Sequence, residues 1–363
     1  MTVGILGGGQ LGRMLALAGI PLGLDFVFLD PSPDAPAAHL GRLITAPYDD
    51  PEALREFAAA ADVITYEFEN VPARTADLLA ASAPVWPPAA ALTVAQDRLQ
   101  EKRLFTRLEI ATAPFEPVDS PAGTRAAAER LAGACVLKTR KHGYDGKGQA
   151  RIAEPAAAAA AFAALGGEPC ILETAIAFSR ELSVIAARGR DGDTVVYPLV
   201  ENRHTEGILR RSVAPAPGTD AVFGQALECV HDILRELDYV GVLAVELFEV
   251  DGALMANEMA PRVHNSGHWT IEGAETSQFE NHLRAVVGLP LGPIDPRGVS
   301  VMLNLIGSPP DVDAVAAVPG AHIHLYGKAP RPGRKVGHVT VRADDESGLQ
   351  AALSRLEGVI PEG

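Results

Sequence analysis

The first thirty residues leave few choices of fold. An apolar run at 3–6 leads into Gly7-Gly8-Gly9, apolar residues then recur at helical spacing over 11–17, and a second apolar run occupies 25–30. Strand, glycine turn, helix and strand make a βαβ unit, and the crossover obliges its two strands to lie parallel. A parallel sheet is covered on both faces, so more helices should follow. The pattern supplies them. Residues 51–60 read as helix, 62–66 as strand, 75–81 as helix and 83–86 as a short strand, and Pro87-Pro88 then marks a boundary.

A chain of 363 residues exceeds one ordinary core, so two or three domains are expected. Beyond the proline pair, 96–108 has the spacing of an amphipathic helix. Residues 134–139 read as a strand entering a glycine-rich loop, with a second strand at 149–152. An alanine-rich helix at 155–165, strands at 170–173, 183–188 and 194–200, and a helix at 222–237 come next. A hairpin follows over 242–259, and short strands from Val299 suggest a small β-rich lobe. The net charge of -15 opposes the phosphate contacts that dominate nucleic-acid affinity, so no nucleic-acid partner is expected. Cys135, Cys170 and Cys229 are odd in number and lack any C-x-x-C spacing, which predicts buried thiols rather than a disulfide framework or a zinc site. The longest apolar stretch, 156–165, is too short to span a bilayer, and a cytoplasmic protein with no membrane partner is expected.

Three motifs carry chemistry. Gly7, Gly9 and Gly12 satisfy G-x-G-x-x-G between strand and helix, with Asp30 ending the next strand. Amides at such a helix N-terminus suit a phosphate monoester as well as a dinucleotide, while a purely packing role for the glycines stays open. Lys138 ends a strand ahead of Gly143-Tyr144-Asp145-Gly146-Lys147-Gly148-Gln149. This is no Walker loop, because Lys147 precedes glycine and then a strand; it reads as a mobile cover for phosphates, with Lys138 neutralising charge. Glu246 and Glu258 interrupt the otherwise apolar strands of the hairpin, and two carboxylates on one face suit magnesium with a nucleotide. Register decides whether they meet. A two-residue Asp251-Gly252 turn would put Glu258 opposite Val245, whereas a three-residue turn with Ala253 pairs it with Glu246, and the three-residue turn is the expectation. An ion pair with Arg262 or Lys138 is the bland alternative. Arg262 presents a planar fork for an oxyanion, while His264, His268 and His204 read as hydrogen-bonding rather than metal-binding histidines. Arg331, Arg334, Lys335 and His338 gather cations that could hold a small anion in an acidic protein.

Taken together these strings resemble the ATP-grasp superfamily and, within it, the 5-(carboxyamino)imidazole ribonucleotide synthetase family of purine biosynthesis. The resemblance rests on GGQLGRM at 8–14, YEFENV at 66–71, GYDGKGQ at 143–149, NEMAPRVHNSGHW at 257–269 and RPGRKVGH at 331–338, in the family's order. It implies an ATP-grasp fold, α/β and α+β, with an N-terminal Rossmann-like pre-ATP-grasp domain and a small β-rich C-terminal lobe. The expected division is 1–97 for the substrate phosphate, 98–175 for the small ATP-grasp subdomain and 176–363 for the large one. The implied reaction uses ATP and bicarbonate to form carboxyphosphate and carboxylates the exocyclic amine of 5-aminoimidazole ribonucleotide, releasing ADP and phosphate. The implied ATP site is Arg98, Lys138, Gly143, Tyr144, Asp145, Gly146, Lys147, Gly148, Gln149, Glu173, Thr174, Ala175, Ile176, Glu181, His204, Asn257 and Glu258, with Mg2+ on Glu246 and Glu258. Gln10, Glu67, Tyr144, Arg262, Asn265, Ser266, Arg334 and Lys335 would meet the small-molecule substrates, the ribonucleotide phosphate resting on the glycine-loop amides near Gln10 and on Lys335 with Arg334. Arg262, Asp145 and Lys138 would be catalytic, Asp145 taking the amine proton. The family tends to form homodimers.

Rival readings are a nicotinamide dehydrogenase, which leaves the Glu246/Glu258 hairpin unexplained, and a nucleotide-binding regulator without turnover, which intact Glu246, Glu258, Lys138 and Arg262 oppose. Another ATP-grasp ligase would share most motifs; only HNSGHW at 264–269 and RPGRKVGH at 331–338 separate it.

Overall fold

A computed structural model describes residues 1–141, 143 and 147–360. The opening βαβ unit forms as its pattern dictates. Thr2–Leu6, Asp25–Asp30, Arg42–Thr45 and Val63–Tyr66 make a four-stranded parallel sheet with Thr2–Leu6 between Asp25–Asp30 and Val63–Tyr66. Residues 83–86 contribute only an isolated bridge, Ile64 to Val85, because Pro87 and Pro88 end any extension.

A second, antiparallel sheet is built from Phe115–Val118, Cys170–Thr174, Cys135–Thr139 and Gln149–Ile152, in that spatial order. The third sheet has nine strands. From its hairpin edge it runs Ala253–Ala260, Gly241–Val250, Arg180–Arg188, Val200–Thr205, Ile208–Ala214, Val299–Ile306, Lys335–Ala343 and Ala321–Leu325, with Thr194–Val196 beside Arg180–Arg188. The C-terminal strands therefore extend the large sheet and carry Lys335 and His338 on a strand of it.

Packing of the first sheet on the large one determines where the site lies. Val3, Ile5, Phe26 and Phe28 share one core with Ile185, Ala187, Val242, Ala244 and Trp269, with Leu11 and Leu15 of helix Gln10–Gly19 and Phe279 and Leu283 of helix Gln278–Val287 between them. A second core fills the opposite face of the large sheet against helix Asp220–Glu236. His282 pins the junction: its ring bonds Thr65 Oγ1 at 2.8 Å and its Nδ1 accepts from Val242 N at 3.1 Å. The glycine turn of the first sheet is thereby held close to the carboxylate hairpin. Cys135, Cys170 and Cys229 are buried free thiols. Among the described residues no helix is long and apolar enough to cross a membrane.

Candidate functional site

The hairpin brings Glu246 and Glu258 face to face, but by a different device from the expected turn. Val250 pairs with Ala253 across a two-residue Asp251-Gly252 turn in which both residues have positive φ, and the ladder runs in that register to Leu247 and Ala256. A β-bulge then inserts Asn257, so Glu246 lies opposite Glu258 instead of Asn257. The three-residue turn is thus corrected. The register shift comes from contacts outside the hairpin, made by helix Arg98–Arg107 and the segment after it.

Lys102 is almost fully buried and donates Nζ to Asn257 O at 2.8 Å, to Thr112 Oγ1 at 2.8 Å and to Ala256 O at 3.3 Å. Thr112 Oγ1 donates to Ala256 O at 2.7 Å, and Glu101 Oε1 accepts from Met259 N at 2.6 Å. These contacts satisfy the backbone groups that a bulge leaves without ladder partners. One turn earlier on the helix, Arg98 pairs with Glu258 at 2.7 Å. The counter-ion of the hairpin carboxylate is therefore Arg98; neither Arg262 nor Lys138 pairs with it directly, since Arg262 holds Glu69 and Lys138 holds Glu173 at 3.0 Å.

The carboxylate pair is electrostatically unbalanced. Burial and the charge of Glu258 hold Glu246 above the usual carboxylate range. Burial opposes ionisation of Glu258 as well, but the Arg98 charge and hydrogen bond bring it down to about 2. Two facing oxygen donors, one strained by the other's charge, are a donor set that a hard divalent cation such as magnesium fits. Among the described residues no group of three or more histidine, cysteine or acidic side chains could hold a metal. Any cation there would need ligands beyond the protein, as magnesium with nucleotide phosphates and water has.

A cavity of about 650 Å³ opens in front of this pair. It brings together Gln10, Glu67, Arg98, Gly143, Lys147, Glu246, Glu258, Arg262, Asn265, Arg334 and Lys335 from the sequence-derived set. The flank carries Lys138, Glu173 and His204. Glu173 accepts from Lys138 and lies 3.6 Å from Lys102, and its Oε1 is buried without a partner. His204 bonds Glu181, and although burial works against protonation, that bond and the charge of Glu246 raise its pKa. Asn257 is the bulge residue itself. Thr174, Ala175 and Ile176 follow the strand ending at Thr174, with Ala175 N donating to Ala134 O at 2.8 Å. Gly148 and Gln149 close the loop on its second strand. Tyr144, Asp145 and Gly146 lie outside the described residues.

Four expectations change. The glycine-loop amides do not form an open phosphate cradle: Gly9, Leu11 and Gly12 donate to Glu67 at 2.8, 3.1 and 3.1 Å, and Gly8 donates to Asp30 at 2.8 Å. The anion at this helix N-terminus is the protein's own Glu67. Gln10 remains a cavity residue through its side chain, which meets Lys328. Asp30, turned inward on Gly8 and Tyr48, is also lost to the ribose contact that the dehydrogenase reading needs. The Asn265 amide is spent on Asn304 in a reciprocal pair at 2.6 and 3.0 Å. Ser266 is fully buried, with its hydroxyl engaged by Ser183 and His264, so its side chain does not face the cavity. His338 is no site cation. It is buried against His324, His268 and Tyr326, and burial lowers its pKa, so it is neutral.

Residues that motif reading missed are Glu69, which orients Arg262 through Nε, Glu101 and Lys102, which hold the bulge, and Lys328 on the cavity wall. An available signal was the charged trio Arg98, Glu101 and Lys102 at helical spacing, with three ionisable groups near one face of a helix that buries it. Arg262 also donates NH1 to Val263 O at 3.0 Å, so its position is determined from two sides.

With this geometry stand the likenesses to known proteins. The sequence matches the ribonucleotide synthetase preATP-grasp domain over residues 1–96, the ATP-grasp domain over 103–279 and the phosphoribosylaminoimidazole carboxylase C-terminal domain over 300–352. It is 55% identical over 360 residues to an N5-carboxyaminoimidazole ribonucleotide synthase of Pseudomonas aeruginosa, covering 99% of each chain. The fold superposes on the crystal structure of N5-carboxyaminoimidazole ribonucleotide synthetase from Thermus thermophilus with a TM-score of 0.96 at 55% identity, covering 99% of each chain. It also superposes on the Aspergillus clavatus N5-carboxyaminoimidazole synthase in complex with ADP and 5-aminoimidazole ribonucleotide, with a TM-score of 0.90 at 33% identity and 99% of each chain covered.

Proposed function

The chain belongs to the N5-carboxyaminoimidazole ribonucleotide synthase family, and from that premise we propose how its own residues carry the reaction. The enzyme is an ATP-dependent carbon-nitrogen ligase of purine biosynthesis. Bicarbonate attacks the γ-phosphoryl group of ATP, giving ADP and carboxyphosphate; the amine of 5-aminoimidazole ribonucleotide then takes the carboxyl group as phosphate leaves and one amine proton is lost.

One observation carries this reading. A single cavity places the opposed Glu246 and Glu258, the anchored Arg262, and the cations Lys328, Arg331, Arg334 and Lys335 around one space. A cavity with carboxylates at one wall and a cluster of cations at another suits a metal-nucleotide and a phosphorylated second substrate at once. Magnesium, if held by Glu246 and Glu258, would neutralise the triphosphate and polarise its terminal phosphorus. Arg262, aimed by Glu69, would hold bicarbonate and the carboxyphosphate whose charge grows as it forms, which favours the transition state over the ground state. Lys138, with Glu173 orienting it, and Arg98 face the nucleotide phosphates, and the glycine loop excludes water. The ribonucleotide phosphate lies against Lys335 and Arg334, beside the Gln10 side chain. Asp145 remains the proposed acceptor of the amine proton.

The proposal extends to a homodimer in the cytoplasm and to the division 1–97, 98–175 and 176–363, which the three separate sheets support. ADP release measured with bicarbonate, with and without 5-aminoimidazole ribonucleotide, tests the reading. Stimulation by the ribonucleotide is expected; its absence would count against this substrate.

A further inference from the structure

One face of the large sheet carries a chain of buried polar side chains leading away from Glu246 across neighbouring strands. His264 Nε2 lies 3.3 Å from Glu246 Oε1, and its Nδ1 lies 2.8 Å from Ser266 Oγ. Ser183 Oγ, on the strand paired with Glu246, is 2.8 Å from Ser266 Oγ. Asn202 on the next strand is 3.0 Å from Ser183 Oγ and, through its other amide atom, 2.8 Å from Ser212 Oγ on the strand after that. Ser183, Asn202, Ser212 and Ser266 are all buried.

Hydroxyls can point either way, but the His264 end leaves one direction. The backbone N–H of Ser266 donates to His264 Nδ1 at 3.3 Å, so Nδ1 carries no proton. A neutral ring whose Nδ1 is bare carries its one proton on Nε2, the nitrogen that lies 3.3 Å from Glu246 Oε1. The Ser266 hydroxyl must then donate to Nδ1, and its oxygen accepts from Ser183. Ser183 in turn accepts from the Asn202 amide, whose oxygen accepts from Ser212. Gln278 accepts from His264 N at 3.0 Å and donates to His264 O at 2.7 Å, which pins the backbone that carries the ring.

We infer that Ser183, Asn202 and Ser212 are positioning residues: a one-way hydrogen-bond chain through them fixes His264 as its Nε2–H tautomer, which orients Glu246. Each donor polarises the next, so the positive charge that Nε2–H presents to Glu246 is strengthened from three strands away. The inference rests on Glu246 as a metal carboxylate, whose outer hydrogen bonds ordinarily change metal affinity or activity about ten- to a hundredfold when removed.

The test reads the tautomer and the metal separately. In the native protein labelled with 15N-histidine, the His264 ring should show a protonated Nε2 and a bare Nδ1; a protonated Nδ1 would overturn the proposal without any variant. In Asn202→Asp, an ionised carboxylate can only accept, so Ser183 should turn toward it and the His264 ring signals should move. Ser183→Ala should broaden or shift the same signals. Both variants should weaken Mn2+ binding to the ADP complex, followed by electron paramagnetic resonance, by tenfold or more, and Ser183→Thr, which keeps the hydroxyl, should restore it. Native ring signals and native Mn2+ affinity in both variants would refute the positioning role. A native ADP complex that shows the Nε2–H tautomer yet binds no Mn2+ would overturn the metal reading, and with it the link from chain to metal.

Discussion

Replacing Lys102 by methionine should loosen the carboxylate pair without touching either carboxylate. The ammonium donates to Asn257 O, Ala256 O and Thr112 Oγ1 and lies 3.6 Å from Glu173, which also has Lys138. Burial lowers its pKa, with Glu173 opposing, so the charged form depends on these partners. Methionine fills a similar volume, and Thr112 still satisfies Ala256 O. Asn257 O, however, loses its donor in a half-buried position, which costs up to about 1–3 kcal/mol. Loss of one partner of a buried ion pair costs about 3–5 kcal/mol when no counter-ion remains, and less here because Lys138 stays on Glu173. Relief from burying the ammonium offsets part of the sum, which leaves roughly 3 kcal/mol. At about 2–4 °C per kcal/mol in a domain of this size, the unfolding midpoint should fall by roughly 6–12 °C. Relaxation of the bulge should also weaken Mn2+ binding to the ADP complex at temperatures where the variant is folded. A midpoint within about 2 °C of the native one, together with unchanged metal affinity, would refute the claim that Lys102 holds the bulge.

Glu69→Gln removes the charge that aims Arg262 through Nε; kcat for bicarbonate-dependent ADP release should fall by about tenfold or more while KM for ATP changes little, as expected of a contact that matters as charge develops. Glu67→Ala leaves three amides of Gly9, Leu11 and Gly12 without their acceptor, and denaturant unfolding should show a loss of roughly 3 kcal/mol at about 1 kcal/mol per bond. Burial holds His282 down to about 3 from the ordinary 6.5. The unfolded chain therefore binds a proton that the folded one refuses, and stability falls as pH drops through the window from about 6.5 to about 3. His282 alone should contribute a loss of roughly 2.5 kcal/mol between pH 7 and pH 4.5, on top of what the other buried neutral histidines contribute, and urea unfolding of His282→Gln should lack that share of the pH dependence.

What could be read from the chain and what could not divide along sequence separation. The βαβ opening, the glycine turn and the two hairpin carboxylates were legible because each is a local pattern: alternation, helical spacing, a charge in an apolar strand. Their final chemistry was not, because each is completed from afar. Glu67, 58 positions from Gly9, occupies the helix N-terminus that a motif reading leaves open for phosphate. Lys102, 155 positions from Asn257, stabilises the bulge that a count of turn residues cannot foresee. Turn chemistry at Asp251-Gly252 indicated two residues and metal chemistry demanded that Glu246 meet Glu258; the conflict itself was a signal that one extra residue had to be absorbed somewhere in the ladder. His338 shows the opposite failure. Its neighbours in sequence are cations, yet alternation along its strand turns it into a pocket built by His268, His324 and Tyr326, where burial keeps it neutral. A local charge cluster therefore predicts a binding surface only for those members whose strand face opens on the cavity, as Lys335 does and His338 does not.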